Sequence, residues 1–194
     1  MRRLTWPVRW WHLGPAILLI PSSTILLVAL GPVFVTPQVA TLGVTVPGPT
    51  ALLCGLMIAF ATVATLKEPT SVLPMVSQRA LPLWRAARVL LLVGTAMTFF
   101  ITASPDHGLA AVSCVCALTA ESLLLARLLW AEIAWSLPLL HAGLTMTFGT
   151  NEIGDIRAWA WILTPTPNPA ETLVSAGLLA IGVVAWAWGS NKGR

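Results

Sequence analysis

The stretch LPLWRAARVLLLVGTAMTFFITAS, residues 81–104, combines the two features that decide the fold. Arg85 and Arg88 lie near its start, and an apolar run without any charged residue follows them to Ser104. A run of this kind is typical of a helix that crosses a hydrocarbon core of about 30 Å, which takes about 20 residues. Because basic residues beside a span are retained in the cytoplasm, this segment predicts a span that starts on the cytoplasmic side.

The rest of the chain repeats this pattern. Of the 194 residues, 57% are hydrophobic and 9% are charged, which leaves too little polar surface to cover a soluble globule. We therefore predict an all-α, polytopic membrane protein, with a single transmembrane domain over residues 1–194. Its six transmembrane helices are predicted at Leu13–Gly31, Thr50–Leu66, Ala86–Ser104, Gly108–Ala126, Glu132–Gly149 and Ala170–Gly189.

The basic residues are sorted to one side of this six-span arrangement. Only Arg157 falls on the outer side. The distribution predicts cytoplasmic N- and C-termini. It also explains the net charge of +4 as loop anchoring, so no nucleic-acid partner is expected. The ten inner basic residues are Arg2, Arg3, Arg9, Lys67, Arg79, Arg85, Arg88, Arg127, Lys192 and Arg194.

Residues 4–12 precede the first run and are rich in tryptophan. The rings of Trp6, Trp10 and Trp11, with Arg9 near the phosphates, favour a short N-terminal interfacial helix. An unstructured basic tail is the alternative. No small-residue cleavage site follows the run, so we expect a retained span and not a signal peptide.

Two connections carry more information than the spans. In the inner loop, Pro74 opens a predicted short helix, Pro74–Ala80, which would present Gln78 and Arg79, with Arg85 nearby, as a docking surface. The alternative is a basic loop held inside by its charge. In the outer segment, the apolar residues Trp159–Leu163, including Trp161, lie between polar and proline-rich flanks and predict a re-entrant helix. A flat interfacial anchor is the alternative.

Ionisable residues at membrane depth are the first places to look for function. Glu121 shares a helical face with Ala110, Cys114 and Ala117, so it should face protein and hydrogen-bond to a neighbouring helix. A proton or substrate site is the alternative for Glu121. We expect His141 to satisfy nearby backbone or Thr145, and not to bind a metal or haem.

The sequence contains no recognisable catalytic constellation, which predicts that the protein is not an enzyme and needs no cofactor or metal. The cysteines, Cys54, Cys114 and Cys116, are interpreted as small buried residues. Small-residue stripes favour close helix packing, within the chain or with another subunit. They are Ala51, Gly55 and Ala59 in the second span and Gly177, Ala185 and Gly189 in the sixth.

Taken together, the interfacial N-terminal helix, six spans, inner-loop helix and re-entrant segment resemble the transmembrane subunits of ABC-2-type ABC transporters. The resemblance is one of architecture and covers the whole chain. It implies a multi-pass permease of the bacterial cell (inner) membrane that pairs with a second permease subunit in membrane lipid. Such a permease moves an apolar or amphipathic cargo, such as a lipid, peptide or natural product. It also implies a separate ABC ATPase subunit, which would contact Gln78, Arg79 and Arg85.

Two other functions fit the same residues. One is a non-transporting membrane scaffold, immunity or regulatory protein, which would need no ATPase. The other is a proton-coupled carrier that uses Glu121, with His141 as its relay.

Overall fold

The structure is a computed structural model that describes residues 14–30, 50–66, 81–150, 155–164 and 167–189. These residues form helices joined by short turns, with a single antiparallel bridge between Thr150 and Ile156. The all-α prediction is therefore confirmed for the described residues. The predicted helices at residues 4–12 and Pro74–Ala80, with Gln78 and Arg79, lie outside them.

Six α-helices and two 3-10 helices follow one another along the described chain. Three of the helices, α3, α4 and α6, are long and apolar enough to cross a membrane, and they indicate a membrane protein. Six crossings and the placement of the termini stay predictions. The α-helices are α1 (Gly14–Leu30), α2 (Thr50–Leu66), α3 (Leu81–Ala103), α4 (Pro105–Leu128), α5 (Ser136–Phe148) and α6 (Pro169–Trp188); the 3-10 helices are Ala131–Ile133 and Ala158–Leu163.

The fifth predicted span is shorter than expected. A continuous helix over Glu132–Gly149 was predicted, but α5 begins only at Ser136 and has 13 residues, a rise of about 20 Å. Pro138 lies in its first turn, where no backbone N–H is needed. The proline ring would clash with the carbonyl of Ala134 in a helix extended backwards, so the preceding residues form a 3-10 turn instead.

Helix α4 is the centre of the bundle, with α2, α3, α5 and α6 packed around it. It starts directly after α3, because the Ser104 carbonyl accepts hydrogen bonds from the N–H groups of His107 and Gly108. Gly108 is required at this turn, since a Cβ there would lie 2.7 Å from the Phe100 carbonyl oxygen. Helices α3 and α4 therefore form an antiparallel hairpin.

Helices α4 and α6 pack side by side in a parallel, heptad-spaced register. The hydroxyls of Ser113 and Ser175 are 2.8 Å apart. One heptad further along both helices, a Cβ on Gly182 would lie 3.1 Å from Ala120, and after another heptad Gly189 meets Arg127. Small residues at seven-residue spacing allow this close approach.

The two small-residue stripes differ in what they contact within the described chain. In α2, Ala51, Gly55 and Ala59 are buried, and a Cβ on Gly55 would lie 2.8 Å from the Cβ of Cys114 on α4. This stripe serves packing within the chain. In α6, Gly177 is exposed with open space beside it, and Gly182 makes the close contact with α4. A contact of the Gly177 face with another subunit stays a prediction.

The described arginines of the inner group lie together at one end of the bundle, which we call the arginine end (Arg85, Arg88 and Arg127). The Arg85 guanidinium lies 5.8 Å from the ring centroid of Trp186, so a cation–π contact joins the start of α3 to the end of α6. Arg88 donates to the carbonyl of Thr65, near the end of α2. Exposed tryptophans surround this end, as in a membrane-interface belt; they are Trp84, Trp130, Trp135 and Trp188.

The outer surface of the helices is apolar. Leu91 on α3 and Leu173 on α6 are more than 70% exposed, at 74% and 72%. The exposed hydroxyls of Thr95 and Thr98 donate to backbone carbonyls one turn earlier, so they leave no polar group unsatisfied. A surface of this kind suits hydrocarbon better than water.

Candidate functional site

Glu121 and His141 meet between α4 and α5. Nδ1 of His141 and Oε1 of Glu121 are 2.5 Å apart, and each side chain is 23% exposed. The hydrogen bond to a neighbouring helix that was expected for Glu121 is therefore present, and its partner is His141. We refer to these two residues as the Glu–His pair.

The positions of both residues follow from their helices. Ala110, Cys114 and Ala117 precede Glu121 on one face of α4 and are buried, so that face points into the protein as predicted. His141 lies one turn before Thr145, whose hydroxyl donates to the His141 backbone carbonyl at 2.5 Å. The prediction that the His141 side chain would satisfy backbone or Thr145 was wrong, because the Thr145 hydroxyl bonds the backbone and the imidazole bonds Glu121.

Each member of the pair keeps one polar atom open. Oε2 of Glu121 is buried without a hydrogen-bond partner among the described residues. His141 makes its one side-chain hydrogen bond within that part of the chain through Nδ1, which leaves Nε2 open. When Nδ1 carries the proton, Nε2 is an acceptor, and when the imidazole is charged, Nε2 is a donor. The pair can therefore take up or release a proton without losing the bond that joins the two helices.

Few other charged residues lie along α4, α5 and the helices beside them. The described residues of α1 and α2 contain no Asp, Glu, Lys, Arg or His, and α5 contains only His141. On α4 the other such residues lie near the two ends, at Asp106, His107 and Arg127. Ionisable residues within transmembrane helices are rare, usually pair with one another and often mark a functional site.

A second unusual element is the 3-10 helix Ala158–Leu163, which we call the buried 3-10 helix. Its residues Ala160, Ile162 and Leu163 are at most 2% exposed. The Ile162 carbonyl accepts a hydrogen bond from the thiol of Cys114 at 3.2 Å. Cys114 lies nine residues after the first residue of α4, which is about 13 Å along the helix axis. This element lies well inside the bundle.

The buried 3-10 helix packs against the end of α5. A Cβ on Gly149 would lie 2.7 Å from Leu163 and 2.9 Å from Ala160, so the end of α5 touches the buried 3-10 helix. The Arg157 N–H donates to the Gly149 carbonyl, so the residue before the buried 3-10 helix is bonded to the end of α5. Asn168 then caps α6 through reciprocal hydrogen bonds with Glu171.

The other predicted site residues that the structure describes lie in two places. Arg85 lies at the arginine end, and Gln78 and Arg79 lie outside the described residues. Trp159 and Trp161 are both in the buried 3-10 helix, where Trp159 is 46% exposed and Trp161 is half-buried. Cys54, Cys114 and Cys116 are buried free thiols, as interpreted from the sequence. The described residues contain no group of His, Cys, Asp and Glu side chains that could hold a metal ion.

The sequence named Glu121 and His141 together only in the proton-coupled carrier hypothesis and did not predict the direct hydrogen bond between their side chains. A signal for it was present, because Glu121 and His141 are the acid and the base farthest from the ends of two consecutive spans. Comparisons with known protein families, with curated proteins and with solved structures find no match.

Proposed function

We propose that the chain is the membrane-spanning permease subunit of a bacterial ABC exporter, coupled to a separate ATPase subunit. The buried 3-10 helix is the observation that carries this proposal. Non-helical backbone at membrane depth is tolerated where it is buried in protein or lines a cavity. A short α5, a return loop and a buried 3-10 helix before α6 support the re-entrant segment that the resemblance to ABC-2-type permeases implies.

The arginine end would be the cytoplasmic end in this proposal. It joins the start of α3, where Arg85 lies, to the ends of α4 and α6. A force applied by an ATPase to the segment before α3 would therefore reach the central helix through packed contacts. Rigid-body movement of helices about such contacts is an established way to open a path.

The cargo would be apolar or amphipathic, such as a lipid, peptide or natural product. The described helices carry few charges between their ends, so they offer little to solvate a highly charged solute. A second permease subunit, either another copy or a related chain, would complete the path in the bacterial cell membrane. ATP hydrolysis belongs to the partner in this proposal.

The test is co-purification of the tagged, full-length chain from its native cells in mild detergent. We expect an ABC ATPase to accompany the protein, and we expect Arg79→Glu combined with Arg85→Glu to abolish that association by charge repulsion at the docking surface. Arg157→Glu, at the opposite end, is the matched charge-reversal control and should leave the complex intact. Preparations without an ATPase, or an undiminished complex in the double variant, would refute the proposal.

A further inference from the structure

The Glu–His pair has the chemistry of a site for a single proton. Its two residues come from different helices, and each lies at least five residues from either end of its helix. The hydrogen bond between Nδ1 and Oε1 survives in two protonation states, because a neutral imidazole and an imidazolium can both donate from Nδ1 to a carboxylate. The two states differ only in whether Nε2 carries a proton.

We infer that the Glu–His pair is a proton-binding site whose occupancy controls how firmly α5 is attached to α4. The proton adds to the lone pair of Nε2, and the Nδ1–H bond to Oε1 is kept. The pair then passes from a net charge of −1 to a neutral ion pair, and its hydrogen bond becomes charge-assisted on both sides, which makes it stronger. This inference goes beyond the proposed ABC function and does not depend on it.

The packing of α5 makes it sensitive to this bond. Its buried residues are only Pro138, Ala142 and Thr145, on one narrow stripe. Leu140 and Phe148, by contrast, are 59% and 56% exposed. Since few apolar contacts hold α5 to the bundle, the Glu–His bond contributes a large share of its attachment. Removing the proton leaves an uncompensated negative charge at this contact and weakens it.

Other charged and titratable residues of the described chain lie on the same helices as the pair and on elements packed against them. On α4, Arg127 lies six residues after Glu121, and Glu132 lies in the 3-10 turn that follows. From α3, Arg88 is directed to the Thr65 carbonyl, and Arg85 lies over Trp186. The remaining titratable groups on packed elements are Cys54 on α2, Asp106, His107, Cys114 and Cys116 on α4, Asp155 and Arg157 before the buried 3-10 helix, and Glu171 in the first turn of α6.

The experiment is hydrogen exchange of the full-length protein in lipid nanodiscs between about pH 5 and about pH 8. Protection factors, corrected for the intrinsic effect of pH, are compared for α5 and for α4 and α6. In the wild type we expect α5 protection to fall by about tenfold as the pH rises. Protection of α4 and α6 should stay constant and report an intact bundle.

Two variants decide whether the Glu–His pair is responsible. Glu121→Gln with His141→Gln replaces the pair by two neutral amides that still hydrogen-bond, and α5 protection should no longer depend on pH. His107→Gln, at the other end of α4, should keep the wild-type dependence. Constant α5 protection in the wild type, or a wild-type dependence in the double variant, would overturn the inference. If the double variant does not insert into the membrane, His141→Gln alone is tested in the same way. Its α5 protection should no longer depend on pH, and a wild-type dependence would overturn the inference.

Discussion

At the residue scale, the Glu–His pair is the clearest departure from an apolar interior. Glu121 was expected on a protein-facing side because small residues precede it at helical spacing, and the structure places it there. Its partner could not be derived in the same way. The pairing depends on the vertical register of α5 against α4, and Pro138 fixes that register by setting where α5 begins.

The contribution of the pair to stability is measurable by a double-mutant cycle. We expect Glu121→Leu and His141→Leu each to destabilise the protein by about 1–3 kcal/mol, because each leaves a polar partner unpaired. The double variant should lose less than the sum, with a coupling energy of about 0.5–3 kcal/mol. Thermal unfolding in detergent provides the measurement. Strictly additive effects would show that the two side chains do not act together.

The glycines of α6 give a matched test of the heptad contact. Gly182→Leu should destabilise the protein by about 1–3 kcal/mol, since its Cβ already meets the Ala120 backbone at 3.1 Å. Gly177→Leu on the same helix points into open space and should change stability by no more than about 0.5 kcal/mol. The midpoints of thermal unfolding compare the two. Equal losses would mean that α6 does not pack on α4 in this register.

At the element scale, the buried 3-10 helix distinguishes this bundle from a simple array of spans. Its apolar composition between polar and proline-rich flanks predicted a separate element at Trp159–Leu163. The contact with Cys114 could not be predicted, because it depends on α5 ending early and turning back along α4. The heptad pair of α4 and α6 was missed for a related reason. Small residues are frequent in both helices, and only the three-dimensional packing selects Gly182 over Gly177.

The packing of the buried 3-10 helix against Cys114 can be tested by chemical labelling. In a variant whose other cysteines are changed to alanine, Cys114 should be shielded from a water-soluble maleimide, since it is 1% exposed. Ile162→Ala removes a fully buried side chain at a cost of about 2–5 kcal/mol and should make Cys114 reactive. Trp159→Ala, at an exposed position of the same element, should leave it shielded. Reactive Cys114 without the Ile162 change would place the 3-10 helix elsewhere.

At the scale of the whole molecule, the described arginines give the bundle two different ends. Arg85, Arg88 and Arg127 lie at one end with the exposed tryptophans, and Arg157 lies beyond the other end of α5. The apolar runs in the sequence located the described helices closely, because lipid exposure demands long uncharged segments. The number of crossings depends on helix length, and α5 is the described helix that falls furthest short of its predicted length.

The sidedness of the bundle is the central claim, since the docking surface, the re-entrant segment and the cargo path all depend on it. Single-cysteine labelling of intact bacterial cells with a membrane-impermeant maleimide measures it, with the native cysteines replaced by alanine. We predict that Trp159→Cys is labelled from outside, whereas Leu83→Cys, beside Arg85, is labelled only after the membrane is opened. Labelling of Leu83→Cys in intact cells, or of both positions from the same side, would contradict the account.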